Sequence, residues 1–202
     1  MRLLTSSLLI ICFILLRLTL AEGKSPESCV GGLCLDKPSF NEAWLVARHG
    51  KGFMHGIRLE GGKYLDKTHC YYVADQDIWA EFTADYHDQT QKAKEIVQIF
   101  LSKEPLCEKT YLPKTAFKRL VTTKDIQIGS LEADVIRAYG DPTRVDDSIE
   151  REKANPSYMN SKLASKFGPK VLVYLAGEDN LLLASFYIKS GRVYSIELSV
   201  SE

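Results

Sequence analysis

The feature that most constrains this chain is the likeness between its two halves. Residues 42–50 read EAWLVARHG and residues 132–140 read EADVIRAYG: Glu-Ala, one variable residue, two aliphatics, three variable residues, then glycine. CYYVADQD at 70–77 matches LVYLAGED at 172–179, setting Tyr72-Val73-Ala74 on Tyr174-Leu175-Ala176. IWAEFTAD at 78–85 matches LLASFYIK at 182–189, and EIVQIFLS at 95–102 matches RVYSIELS at 192–199. The four matches occur in the same order, at offsets of 90, 102, 104 and 97, with the drift falling in polar loops. Self-similarity in order means one supersecondary unit used twice.

Each segment has a physical reading. Ser39-Phe40-Asn41-Glu42 is a capping-box pattern that predicts a helix start near Ser39. That helix would bury Phe40, Ala43, Trp44 and Ala47, with Gly50 as its cap. In the second half Ser130 can cap. Leu131, Val135, Ala138 and Tyr139 form the stripe, Gly140 ends the helix and Pro142 prevents its resumption. The remaining segments are rich in Tyr, Val, Ile, Phe and Trp and predict strands. Ser190-Gly191 supplies a hairpin turn between the last two. Residues 90–103 also fit helical spacing, but their repeat partner reads as a strand, so a strand is expected over 95–102. The expected fold class is therefore α+β. Two tandem units, 22–107 and 125–202, would each pack one or two helices on an antiparallel sheet of three to four strands. Residues 108–124, basic and polar, would link them. Residues 144–170, charged and broken by Pro156 and Pro169, would be a loop inserted in the second unit, with room for a short helix over 158–166.

The first 21 residues read as a signal peptide: Arg2, an apolar run from Leu8 to Leu16, then Thr19-Leu20-Ala21, with cleavage expected after Ala21. The run is too interrupted for a good membrane span, and Ile11 before Cys12 does not suit a lipobox. A processed chain of 181 residues would carry 24 basic and 26 acidic side chains, once Arg2 and Arg17 are removed from 26 of each. Such a balance recruits neither nucleic acid nor an anionic membrane surface. It would also retain Cys29, Cys34, Cys70 and Cys107, an even number that in an exported chain predicts two disulfides. Three pairings are open; Cys29–Cys34 with Cys70–Cys107 is the favoured one.

No chemistry-bearing motif stands out. His49 and His55 flank a glycine-rich turn that no common metal motif uses, and neither HExxH nor GxSxG occurs. Asp75, Asp77 and Glu81 resemble part of a calcium loop but lack its glycine and later ligands. Gly50-Lys51-Gly52 could contact an anion, and Cys29 and Cys34 are not spaced as a redox CxxC. No catalytic residue, metal ligand or cofactor is expected from these patterns.

The stretch IQIGSLEADVIRAYGDPTRV resembles the SmpA/OmlA-type domain. That domain begins with an apolar strand, a glycine, a small capping residue, a helix with paired aliphatics and Gly-x-Pro. Here Ile128, Gly129, Ser130, Val135, Ile136, Gly140 and Pro142 fill those places. The closing GRVYSIELS fits the family's turn into a final strand. The resemblance covers about 125–202, and 29–107 only through the internal repeat; the first copy lacks the leading glycine and the Gly-x-Pro. Two such units in tandem are similar to secreted beta-lactamase inhibitor proteins. The resemblance implies non-enzymatic protein binding, as an envelope adaptor or an inhibitor.

Strand alternation divides the side chains by face. Val73, Ala80, Phe82, Ile99, Leu101, Leu175, Ala184, Phe186, Ile196 and Leu198 should pack on the helices. Tyr72, Trp79, Phe100, Tyr174 and Tyr187 should lie on the opposite face among Glu81, Ser185, Ser195 and Glu197. Aromatics among small polar residues suit a protein interface. The expected function is thus an exported, secreted or periplasmic, binding module that uses its outer sheet face to hold another protein, with no nucleic acid and no stable membrane insertion. The rival is an enzyme, hydrolase-like or metal-dependent, whose site would gather His69 or His87 with carboxylates in a pocket.

Overall fold

A computed structural model describes residues 27–35, 37–55, 66–86, 94–105, 107, 111–147, 167–176 and 182–200. The elements in chain order are β1 (Cys29–Val30), β2 (Leu33–Cys34), α1 (Glu42–His49), β3 (Phe53–His55), β4 (Asp66–Val73), β5 (Ile78–Asp85), β6 (Ile96–Ser102), α2 (Glu132–Tyr139), β7 (Arg144–Asp147), β8 (Lys170–Ala176), β9 (Leu182–Lys189) and β10 (Arg192–Val200). The signal peptide and the helix expected over 158–166 lie outside the described residues.

The architecture corrects the expected fold class. Among the described residues strands predominate, and the helices are two, of eight residues each. There are not two separately packed α+β units. Eight strands form one sheet in the order β3-β4-β5-β6-β10-β9-β8-β7, with every pair antiparallel. The halves meet at β6 and β10, where Leu101 lies opposite Ile196 and Ile99 opposite Leu198. Left apart, each of these apolar strands would be an exposed edge with unpaired backbone groups; pairing them removes both edges. A core shared by both halves results. It runs from Phe40, Leu45 and Phe82 through Ile99, Leu101, Ile196 and Leu198 to Phe186, Val135 and Tyr139.

The stretch expected as a linker also belongs to that core in its described part. Phe117 is buried beneath α1, its ring stacked on His49 at 3.9 Å and on Phe82 at 5.4 Å. Leu120 is buried beside it, and Leu120 N donates to Gln76 Oε1 at 2.7 Å. Residues 111–124 are therefore a strap across the sheet rather than a spacer.

The local signals were displaced by small amounts. Asn41, not Ser39, caps α1: its Oδ1 accepts from Trp44 N at 3.0 Å. The helix turns Leu45 and His49, four residues apart on one face, toward the core, which leaves Ala43 and Ala47 exposed. α2 buries Val135 and Tyr139 as expected, but Leu131 stays exposed. Residues 96–102 are a strand.

Equivalent contacts recur in the two halves. Tyr71 sits opposite Ala80 and donates from its hydroxyl to Gly50 O at 2.7 Å. Tyr174 sits opposite Ala184 and donates to Gly140 O at 3.1 Å. Each tyrosine thus ties a strand to the carbonyl that ends a helix. The counterpart of Tyr174 is Tyr71, one residue away from the Tyr72 that sequence matching selected.

Candidate functional site

That one-residue slip decides which aromatics face where. Because side chains alternate along a strand, a shift of one transfers a residue to the other face. Tyr174 packs under α2, its ring 5.3 Å from Tyr139 and 5.8 Å from Phe186, so it is not on the outer face. Leu175 correspondingly moves outward, packing with the second cluster. Burial pushes the Tyr174 hydroxyl up to about 12.

Phe100 and Tyr187 do lie on the outer face, but they are buried. They form a second apolar cluster with Phe167, Val171 and Val173. Phe167 sits 5.1 Å from the Phe100 ring, edge on. Several polar residues around them are paired: Tyr187 donates to Glu197 Oε2 at 2.7 Å, Gln98 donates to Glu197 Oε1 at 2.8 Å, and the Ser195 hydroxyl donates to Ser102 at 3.2 Å, while the buried Ser185 hydroxyl has no hydrogen-bond partner among the described residues. Paired buried polar groups of this kind cost little and hold strand register. This part of the face is a second core.

Tyr72 and Trp79 differ. They lie opposite one another at the end of β4 and the start of β5, are half-buried, and their rings are 5.0 Å apart. Tyr72 donates to Asp77 Oδ1 at 2.9 Å, and Lys103 Nζ reaches Asp77 Oδ2 at 3.2 Å. The Tyr72 hydrogen bond and then the lysine hold the Asp77 carboxyl below its ordinary range. The turn that carries Asp77 has positive φ there, 49°, a conformation Asp tolerates better than most residues. Beside β4, residue 111 bridges to Tyr71: Tyr72 N donates to Tyr111 O at 3.0 Å. Tyr111 and Leu112 expose 51% and 70% of their surface, the two largest such values among the exposed apolar residues of this end. Sequence reasoning missed both, because they fall in a polar basic stretch with no strand pattern; only the bridge to Tyr71 brings them here.

The groups an enzyme would need are placed otherwise. His69 is fully buried under α1, its Nε2 at 2.8 Å from Glu42 Oε1, and Tyr86 donates to the other oxygen of Glu42. Burial alone would raise the Glu42 carboxyl; the hydrogen bonds from His69 and Tyr86 outweigh it and leave it lowered. This network carries the carboxylate–histidine half of a catalytic arrangement, but His69 has no surface a substrate could reach. His49 is buried, with Nδ1 donating to Thr115 O at 2.6 Å, and burial depresses its pKa. His87 lies outside the described residues.

The cysteines pair as Cys29–Cys34 and Cys70–Cys107. Ligand atoms of Cys70, Glu81 and Cys107 come within 4.8 Å of one another, but with the disulfide formed neither sulfur is a thiolate, and one carboxylate alone does not hold a metal. Of the calcium-like trio, Asp77 is engaged by Tyr72 and Lys103, and Glu81 is buried on the outer face. Gly52 is needed for packing, since a Cβ there would lie 2.9 Å from Cys70 N. Among the described residues, no helix is long and apolar enough to cross a membrane.

No family model, no curated protein and no solved structure matches this chain.

Proposed function

We propose that the chain is an exported protein-binding module, not an enzyme, and that it docks its partner at the end of the sheet marked by Tyr72 and Trp79. The observation that carries this reading is the half-exposed Tyr72–Trp79 pair, flanked by the exposed Tyr111 and Leu112. Tryptophan and tyrosine in a partly dry setting are the residues that most often anchor protein interfaces. They lose little rotamer freedom on binding, and each can bury a large area. The disulfides support a working place outside the reducing cytosol, where the leader expected to end at Ala21 would direct the chain. The likeness of 125–202 to the SmpA/OmlA-type domain points toward protein binding as well.

The test compares capture of proteins from extract of the source cells by immobilised wild type, Tyr72→Ala, Trp79→Ala and Val145→Ala. Val145 is 55% exposed on β7, at the far edge of the sheet. Both aromatic variants should keep the far-UV spectrum and lose the partner that wild type and Val145→Ala retain. Undiminished capture by Tyr72→Ala and Trp79→Ala sinks the proposal.

A further inference from the structure

A recess lies at the same end of the sheet as Tyr72 and Trp79. It has a volume of about 570 Å³ and is walled by Ile128, Val193 and Tyr194, with Lys103, Lys189 and Arg192 among its lining residues and no acidic residue among them. The β9–β10 turn and the lead-in to α2 form its sides. Tyr194 reaches it through a bulge: the β9–β10 register shifts between Val193 and Ser195. Bulges commonly re-aim a side chain toward a functional surface. The Lys189 ammonium stands 4.4 Å from the centre of the Tyr194 ring, and Arg192 Nη1 donates to the backbone oxygen of Gly129 at 2.9 Å. Neither cation has a carboxylate partner among the described residues. Glu104 accepts from the Tyr194 hydroxyl at 2.6 Å beside the recess and Asp77 pairs with Lys103, so in a chain with 26 basic and 26 acidic side chains the local excess of positive charge rests on Lys189 and Arg192.

Lys103 joins this recess to the aromatic pair. It lines the recess, and its ammonium binds Asp77, which in turn holds Tyr72. We infer that the recess receives acidic side chains of the same partner segment whose apolar anchor rests on Tyr72 and Trp79. The inference rests on the docking reading above and adds the chemistry of the partner: an aromatic or aliphatic anchor followed by carboxylates. Lys189 and Arg192 supply the attraction. The exposed Lys103–Asp77 pair is individually weak, so an incoming carboxylate can share Lys103 at little cost. Complementary charge of this kind sets orientation and encounter rate and fades as salt rises.

The test uses the full, oxidised chain labelled with ¹⁵N and two synthetic peptides, one tryptophan followed by four glutamates and one tryptophan followed by four lysines. The acidic peptide should shift amides of residues 103, 128–129 and 189–194 together with 72–79, and the basic one should not. Lys189→Glu with Arg192→Glu, both exposed positions, should keep the amide spectrum of the fold and weaken acidic-peptide binding at least tenfold. Equal shifts from both peptides, unchanged affinity in the double variant, or the same shifts from inorganic phosphate alone would overturn the inference. Capture from extract separates the two proposals. If Trp79→Ala loses the partner while Lys189→Glu/Arg192→Glu keeps it at low salt, the acidic segment is refuted and the docking site stands. If neither variant loses it, both are refuted.

Discussion

Replacing Phe117 by alanine tests whether residues 111–124 are structural. The ring is 4% exposed, stacked on His49 and Phe82, and meets Tyr71 edge on at 5.4 Å. Truncating a buried phenylalanine costs about 3–5 kcal/mol through lost transfer energy and the cavity left behind. Its aromatic contacts place this site in the upper part of that range, at about 4 kcal/mol. That is a large share of the roughly 5–15 kcal/mol that holds a domain together. With an m-value of about 2 kcal/mol/M in urea, the midpoint should fall by about 2 M. The assay is urea unfolding followed by circular dichroism with both disulfides intact, and Leu112→Ala is the control. Leu112 is 70% exposed, so its truncation should change stability by no more than about 0.5 kcal/mol. If Phe117→Ala behaves like Leu112→Ala, the strap is a linker and the account of a core shared by both halves fails. A two-step transition in the wild type, with the halves melting apart, would refute it equally.

Acidification should weaken the fold in two stages. Burial depresses the His49 pKa below its ordinary 6.5, so stability is complete above about 6.5 and declines as pH falls through the folded value, at about 1.4 kcal/mol per unit of depression. The lowered Glu42 carboxyl adds a second loss below its ordinary 4.5. In His49→Phe, urea midpoints between pH 7.5 and 5.5 should vary less than in wild type; an unchanged slope would mean that His49 is not the group titrating. Glu27 is a buried carboxylate whose oxygens accept from Cys29 N, Thr123 N, the Thr123 hydroxyl and the Tyr139 hydroxyl at 2.8–2.9 Å. Glu27→Ala should therefore cost about 3 kcal/mol in urea unfolding, because it strands buried donors, and a loss under about 1 kcal/mol would show that these contacts contribute little. Disulfide removal should be graded: the 37-residue separation of Cys70–Cys107 predicts a loss of about 4 kcal/mol, and the 5-residue separation of Cys29–Cys34 about 2. Equal losses in the two double-alanine variants would contradict the loop-entropy account.

Local pattern made the strands legible, because alternation and β-branched or aromatic content act within a few residues. The Val135–Tyr139 helix face could be read that way, whereas the Ile96–Ser102 strand, whose own spacing also fits a helix, is legible only through its repeat partner. Whether two like halves pack apart or together depends on the β6–β10 pairing, a contact across about a hundred residues that no local pattern encodes. The same limit explains the aromatic face. Ser185, Ser195 and Glu197 look like a wet surface by residue type, yet hydrogen bonds and Phe167 make that region dry. Matching Tyr72 to Tyr174 was a slip of one in a Tyr-Tyr pair, and only the hydroxyl contacts to Gly50 and Gly140 identify Tyr71 as the equivalent. Of the aromatics expected on that face, Tyr72 and Trp79 are the ones left half-buried rather than buried.

Hydrogen–deuterium exchange on the full chain, with and without the partner that wild type captures, addresses that end directly. Binding should slow exchange at residues 72–79 and 111–112 and leave β7, at the far edge, unaltered. Protection confined to β7 and β8, or to the surface of α1 and α2, would place the docking site elsewhere and contradict the account.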